Sequence, residues 1–147
     1  MIYATNSDLT KFYAQALEFG VSDWTDEIAL AQADVILAIK TKWFFIEFGS
    51  LRTRGMVVQP IFNEDLLTSE QWTTSVVYRA LSAYILPKLS NFRPEGDAFQ
   101  VAAAFFKERY VEELDLQIAG GVQYDLNADG SVSAAEEFPT LTNRLYR

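Results

Sequence analysis

A mainly α fold, a four-helix-type bundle with a small hairpin or loop insertion over 44–62 and an extended C-terminal arm, is what the sequence predicts. Three observations lead there. Apolar residues recur every three or four positions in several long segments, helix-start signals stand before these segments, and Gly or Pro stands behind them. With 147 residues, 50% of them apolar and 22% charged, the chain can bury one core of its own. The expected division is a helical bundle domain over 1–119 and the arm over 120–147.

The first helix starts at Thr5. Thr5, Asn6, Ser7 and Asp8 read as a capping box, Leu9, Phe12, Tyr13, Ala16 and Leu17 follow at helical spacing, and Gly20 is the expected stop. A second start lies in 21–27, where oxygen-bearing cap candidates precede Asp26 and Glu27, acids that suit the positive end of a helix dipole. From there Ile28, Ala31, Val35, Ala38 or Ile39, and Trp43 form an apolar stripe. Leu30, Ala33 and Leu37 widen it, so this helix is expected to be buried over much of its circumference. Residues 44–62 carry β-branched and aromatic side chains, Gly49 and Gly55, and the basic pair Arg52 and Arg54. They suit either a hairpin, or a helix extension followed by a loop.

The third helix has the clearest start. Thr68 and Gln71 are spaced for a reciprocal capping box, and Leu67 can staple against Trp72. Val76, Ala80 and Ala83, with Val77, Leu81, Tyr84 and Ile85, supply its buried faces, and Pro87 is expected to kink or end it. After a polar break over 90–96, a fourth helix runs from about Asp97, with Phe99, Ala103, Phe106, Tyr110, Leu114 and Ile118 on one face. Gly120 and Gly121 end it.

Composition closes many functional classes. The chain has no Cys and no His, which excludes disulfides, thiolate and imidazole metal sites, cysteine nucleophiles and Ser-His-Asp triads. An enzyme would have to run on carboxylates, Tyr or Lys, as glycosidases do, and a non-enzyme is expected. The acids Glu108, Glu112, Glu113 and Asp115 are the nearest thing to such a set, yet helical spacing puts them opposite the apolar stripe, on a solvated face. Arg52, Arg54, Arg144 and Arg147 suit phosphate, a partner's carboxylates, or simple solvation. The net charge of −8 argues against gripping nucleic acid or an anionic membrane. That charge is one-sided: ten acids against Lys107 and Arg109 lie between Glu95 and Glu137, while the other residues balance. No signal peptide or membrane-spanning run is seen, so synthesis in the cytoplasm is expected. Aromatics make up 14% of the chain, an excess that fits contact surface as well as core.

One motif carries chemistry. Residues 125–136 match the calcium loop D-x-[DN]-x-[DN]-G-x5-E position by position. Asp125, Asn127 and Asp129 would converge on one hard cation, Gly130 permits the turn, Ser131 offers its carbonyl, Ser133 stands at the ninth position, and Glu136 returns two oxygens. The flanks depart from a helix-loop-helix hand: residues 120–124 separate the loop from the preceding helix, and Pro139 cuts the following one short. A structural calcium clip is therefore the functional version, and a solvated Asn/Asp/Gly turn capping a short helix is the plain one.

Several phrases together carry a resemblance. These are Tyr3-Ala4-Thr5 followed by Asp8-Leu9 and Phe12, and a second helix of Ala and Asp residues ending near a Trp. They also include Leu66-Leu67-Thr68 to Trp72, Tyr78-Arg79-Ala80-Leu81 and Leu86-Pro87-Lys88-Leu89, then 121–125 through Arg144-Leu145-Tyr146-Arg147. The chain resembles the small head-to-tail connector, or adaptor, proteins of the tailed-bacteriophage neck. The resemblance implies a structural virion protein, made in the host cytoplasm and placed in the virion neck. It also implies a homo-oligomeric ring, a dodecamer, between the portal protein and the tail or tail-terminator protein, with genomic DNA only passing through and no membrane. The arm after Gly120 and Gly121 would reach the portal or an adjacent subunit, stiffened by the metal loop, and would be removable without loss of the helices. An acidic channel face would let DNA pass without sticking. The other class kept open is a calcium-binding module with a single EF-hand-like loop.

Overall fold

A computed structural model describes residues 1–53, 60–91 and 95–137, without the side chains of 50–53. Helix α1 spans Asn6–Phe12. Helix α2, Thr25–Ile39, continues through a π-helical turn, Lys40–Phe44, into α3, Phe45–Thr53. A 3-10 turn at Glu64–Leu66 leads to α4, Ser69–Ala80, which runs through a second π-turn, Leu81–Ile85, into α5, Leu86–Leu89. Helix α6, Ala98–Ala119, is the longest, and α7, Ala134–Glu137, is a single turn. Helix α4 lies between α2 and α6 and buries Trp72, Val76, Val77 and Ala80 against them. The fold is thus a helical bundle, as predicted. No described helix is long and apolar enough to cross a membrane.

The first capping box is present: Asp8 accepts from the Thr5 N–H (3.0 Å), and the Thr5 hydroxyl accepts from the Asp8 N–H (3.4 Å). Helix α1 stops at Phe12, well before Gly20. Beyond it the backbone runs in tight turns, the Ala16 N–H donating to the Tyr13 carbonyl and the Glu18 N–H to the Gln15 carbonyl (both 3.0 Å), and the Trp24 indole N–H donates to the Ala16 carbonyl (2.7 Å). Asp23 rather than the N-cap residue satisfies the start of α2, accepting from the Thr25 N–H (3.0 Å) and from the Asn6 amide (2.7 Å).

Ile28, Ala31, Val35, Ile39 and Trp43 are buried, as the stripe predicts, and so are Phe44 and Phe48. The expected broad burial of α2 is corrected, because Leu30, Ala33 and Leu37 face outward. A π-turn inserts one residue and rotates the helix beyond it by about 100°. That rotation brings Phe44 and Phe48 inside and turns Phe45 and Ile46 out. Of 44–62, residues 45–53 are a helix extension, and 54–59 lie outside the described residues.

The capping box expected at Thr68 does not form. Thr68 is the N-cap of α4, but its side chain makes no cap bond. The Gln71 amide instead donates to the Gly121 carbonyl (2.8 Å) and accepts from the Gln123 N–H (2.9 Å). Val122 between them is fully buried, so its neighbours' backbone groups need partners that water cannot supply, and Gln71 provides both. Leu67 and Trp72 are both buried, consistent with the staple. Pro87 sits inside α5 directly after a π-turn, where the widened helix relieves the clash with the carbonyl four residues back. Asp97 then joins α5 to α6. It forms a capping box with Gln100 and also accepts from the Ser90 hydroxyl (2.9 Å) and the Asn91 N–H (3.0 Å).

The arm begins as a packed segment. Val122 and Tyr124 are core residues, and Tyr124 forms an antiparallel bridge with Leu67. The Thr68 N–H donates to the Gln123 carbonyl (3.1 Å) and the Asp125 N–H to the Leu66 carbonyl (2.9 Å). The Tyr124 ring meets Trp43, Phe44 and Phe62, with centroids 5.6, 5.7 and 6.0 Å away. Removal of everything after residue 120 therefore takes core side chains with it. Residues 138–147 lie outside the described residues.

Candidate functional site

The bridge to Leu67 delivers the chain into residues 125–136 at a fixed point, and the loop then organises itself. The Asp125 carboxylate accepts from the Asp129 N–H (3.1 Å) and the Gly130 N–H (2.7 Å), folding the first half back on its first residue. Asn127 accepts from the same Asp129 N–H (2.9 Å) and donates to the Asp129 carboxylate (3.0 Å). Asp129 accepts from the Ser131 N–H (2.9 Å) and hydroxyl (2.8 Å). Two residues take left-handed backbone: Gly130 at φ +88°, as the motif requires, and Ala128 at φ +56°. The Ala128 strain, on the order of 1 kcal/mol, was not signalled by the sequence.

Glu136 closes the second half. Its carboxylate accepts from the Ser133 N–H (2.8 Å) and hydroxyl (2.7 Å), the reach-back half of a capping box at the start of α7. It also accepts from the Asn127 N–H (3.2 Å), so the twelfth position of the loop touches the third. Hydrogen bonds from Ser131 hold the Asp129 carboxyl below its ordinary value, and those from the Ser133 N–H and hydroxyl do the same for Glu136.

Asp125, Asn127, Asp129, Ser131, Ser133 and Glu136 are thus gathered in one turn. Among the described residues no three or more acidic side chains converge as a metal-holding group. Their oxygens point at the loop's own N–H groups. A carboxylate has about four lone-pair sites, so the bonds to Asp125 leave acceptor capacity for a hard cation. The set offers oxygen ligands alone, which suits calcium and not a soft metal.

The acids of α6 are dispersed. Glu108, Glu112 and Asp115 are exposed; Glu112 pairs with Arg109 (3.2 Å), Asp115 with Lys42 (3.3 Å), and Glu113 accepts from Gln117 (2.9 Å). Glu108 and Glu112 line an open depression of about 490 Å³ with Ala104, Lys107 and Val111, and Glu113 and Asp115 are not part of that lining among the described residues. The side chains of Arg52, Arg54, Arg144 and Arg147 lie outside the described residues. Sequence reading missed a second polar cluster. Asp34 on α2 accepts from Arg79 Nε and from the Tyr84 hydroxyl, both at 2.7 Å, and Arg79 lies 5.5 Å from the Tyr110 ring centroid. The isolated charges Asp34 and Arg79 beside apolar stripes were its only signal.

An apolar surface is the other feature. Leu30, Leu37, Phe45 and Ile46, along α2 and α3, are each more than half exposed. No family model, curated protein or solved structure matches the chain.

Proposed function

We propose that this chain is a structural virion protein of the tailed-bacteriophage neck, a head-to-tail connector whose copies form a ring between portal and tail. The observation that carries the reading is the uncovered apolar face of α2 and α3, because a core-quality surface left in solvent is what a subunit keeps for its neighbours. The resemblance in sequence supplies the partners: further copies of itself, the portal, and the tail or tail-terminator protein. DNA only passes through, and the acidic surface around α6 and the loop suits a channel that does not hold it. The test is light scattering of the purified chain, alone and with the portal encoded beside it. A complex at ring stoichiometry is expected. A monomer indifferent to the portal overturns the reading.

The alternative, a calcium-binding module, is favoured by one observation: the loop already makes the left-handed turn at Gly130 that the motif requires, with Glu136 folded back against Asn127. A monomer that ignores the portal but gains stability from calcium would put this reading first. Within the connector the same loop is a structural clip.

A further inference from the structure

Two exposed apolar stripes of similar length run along the outside of the bundle. Leu30, Leu37, Phe45 and Ile46 follow α2 through the π-turn into α3, over a rise of roughly 22–24 Å. Val101, Phe105 and Leu116 follow α6 over about 22 Å. Each helix buries its other side, Val35 and Ile39 on α2 and Phe106 and Leu114 on α6, and α4 lies between the two helices. Leu37 and Val101 each stand half a turn round from those buried residues, so the stripes look out on different sides of the bundle. Their charges differ as well. Towards the middle of the first stripe sits Lys40, its ammonium 5.6 Å from the Phe45 ring centroid and 5.9 Å from that of Phe62. In the middle of the second stand Glu108 and Glu112, with Lys107 beside them. Glu112 pairs with Arg109, whereas Lys40 and Glu108 have no ion-pair partner among the described residues.

We propose that the α2–α3 stripe of one copy packs against the α6 stripe of the next, a head-to-tail contact in which Lys40 meets Glu108 and Glu112. The symmetric alternatives are worse. A two-fold contact of α6 with itself turns about the middle of the stripe, which is Glu108, and so sets that acid against its own counterpart; like charges facing each other across an interface cost affinity. A two-fold contact of the α2–α3 stripe with itself leaves the α6 stripe in water. The head-to-tail pairing covers both stripes and places a cation among acids. Contacts of this kind close into rings when the rotation from copy to copy permits. The inference rests on the self-assembly in the connector reading, and adds which surfaces meet. The acids of 125–136 take no part in the contact, so the acidic side of the chain keeps its character.

Blocking one face at a time tests the pairing. Leu37→Glu sets an acid against acids, and Phe105→Lys sets a cation against Lys40; both side chains are exposed, so the core is untouched. In light scattering of the full chain without portal, each variant alone is expected to stay monomeric at concentrations about tenfold above those at which the wild type associates. An equimolar mixture is expected to give a one-to-one dimer and nothing larger, because each variant keeps one intact face and the two faces are complementary. A monomeric mixture overturns the proposal, and so does either variant alone assembling as the wild type does. A wild type that stays monomeric without portal overturns it too. The connector reading is judged separately, by the wild type with portal: a ring there beside a monomeric mixture sinks the pairing and leaves the connector standing. Independently, Lys40→Glu is expected to weaken association about tenfold or more, and adding Glu108→Lys and Glu112→Lys to the same chain to restore it. Failure to restore it also overturns the proposal.

Discussion

Replacing Tyr124 tests whether the segment after α6 belongs to the core. Its side chain is almost fully buried, its ring contacts three aromatic neighbours, and its hydroxyl accepts from the Asn63 N–H at 3.0 Å. Tyr124→Ala deletes the ring and leaves a cavity between helices, which by analogy with other aromatic truncations costs about 3–5 kcal/mol. For a chain of this length that lowers Tm by roughly 10–15 °C, a large part of the total stability. Tyr124→Phe keeps the packing and removes only the acceptor. Asn63 is exposed, so water can replace the lost bond, and the cost is about 1 kcal/mol. Thermal and urea unfolding of the two variants measure the contrast. A Tyr124→Ala loss no larger than that of Tyr124→Phe would refute the reasoning and restore the view of 120–147 as an appendage.

Other outcomes rest on the same structure. If the loop binds calcium in the weak range of about 0.1–1 mM, then about 10 mM calcium stabilises the fold by roughly 1–3 kcal/mol. Calorimetry of wild type and Glu136→Gln, with calcium and with chelator, would show a shift in the former alone; no shift in either sinks the clip. Because Asp129 and Glu136 are held below their ordinary values, their contribution is present above the carboxylate range and fades as pH falls through it. At the other extreme, burial pushes the Tyr3 phenol up to about 12, with Glu64 and Asp65 adding to the effect. Its contribution is whole below pH about 10, the unfolded value, and is lost as pH rises towards about 12. Tyr3→Phe is expected to flatten that alkaline loss in a pH series of urea melts, and an unchanged slope would count against it. Ser75 is fully buried, and its hydroxyl has no hydrogen-bond partner among the described residues. Ser75→Ala should therefore leave Tm unchanged or raised, whereas a fall would reveal a bond to that hydroxyl.

Local chemistry made much of the molecule legible. Thr5 and Asp8, and Asp97 and Gln100, are capping pairs because their spacing brings side chain and backbone together with no help from the rest of the fold. The stripe of α6 and the turn at Gly130 are equally local. The same spacing at Thr68 and Gln71 misled, because a buried neighbour, Val122, competes for the glutamine. Helix α1 is shorter than its apolar spacing suggests, because residues 13–18 form tight turns and bury Ala16 beneath the Trp24 indole, which donates to its carbonyl.

What the sequence by itself determined is the helical class, the order of the main helices, the one-sided charge, the lack of thiol and imidazole chemistry, and the ligand spacing of 125–136. All of these depend on residues within a few positions of each other or on composition alone. Only the tertiary structure decided which apolar residues are core. Two π-turns re-aim the stripes behind them, leaving Phe45 and Ile46 in solvent, and Tyr124 is drawn in by rings that lie 62 to 81 positions earlier in the chain. Periodicity reports that a helix has an apolar face; whether that face is covered depends on which other segment arrives to exclude water from it.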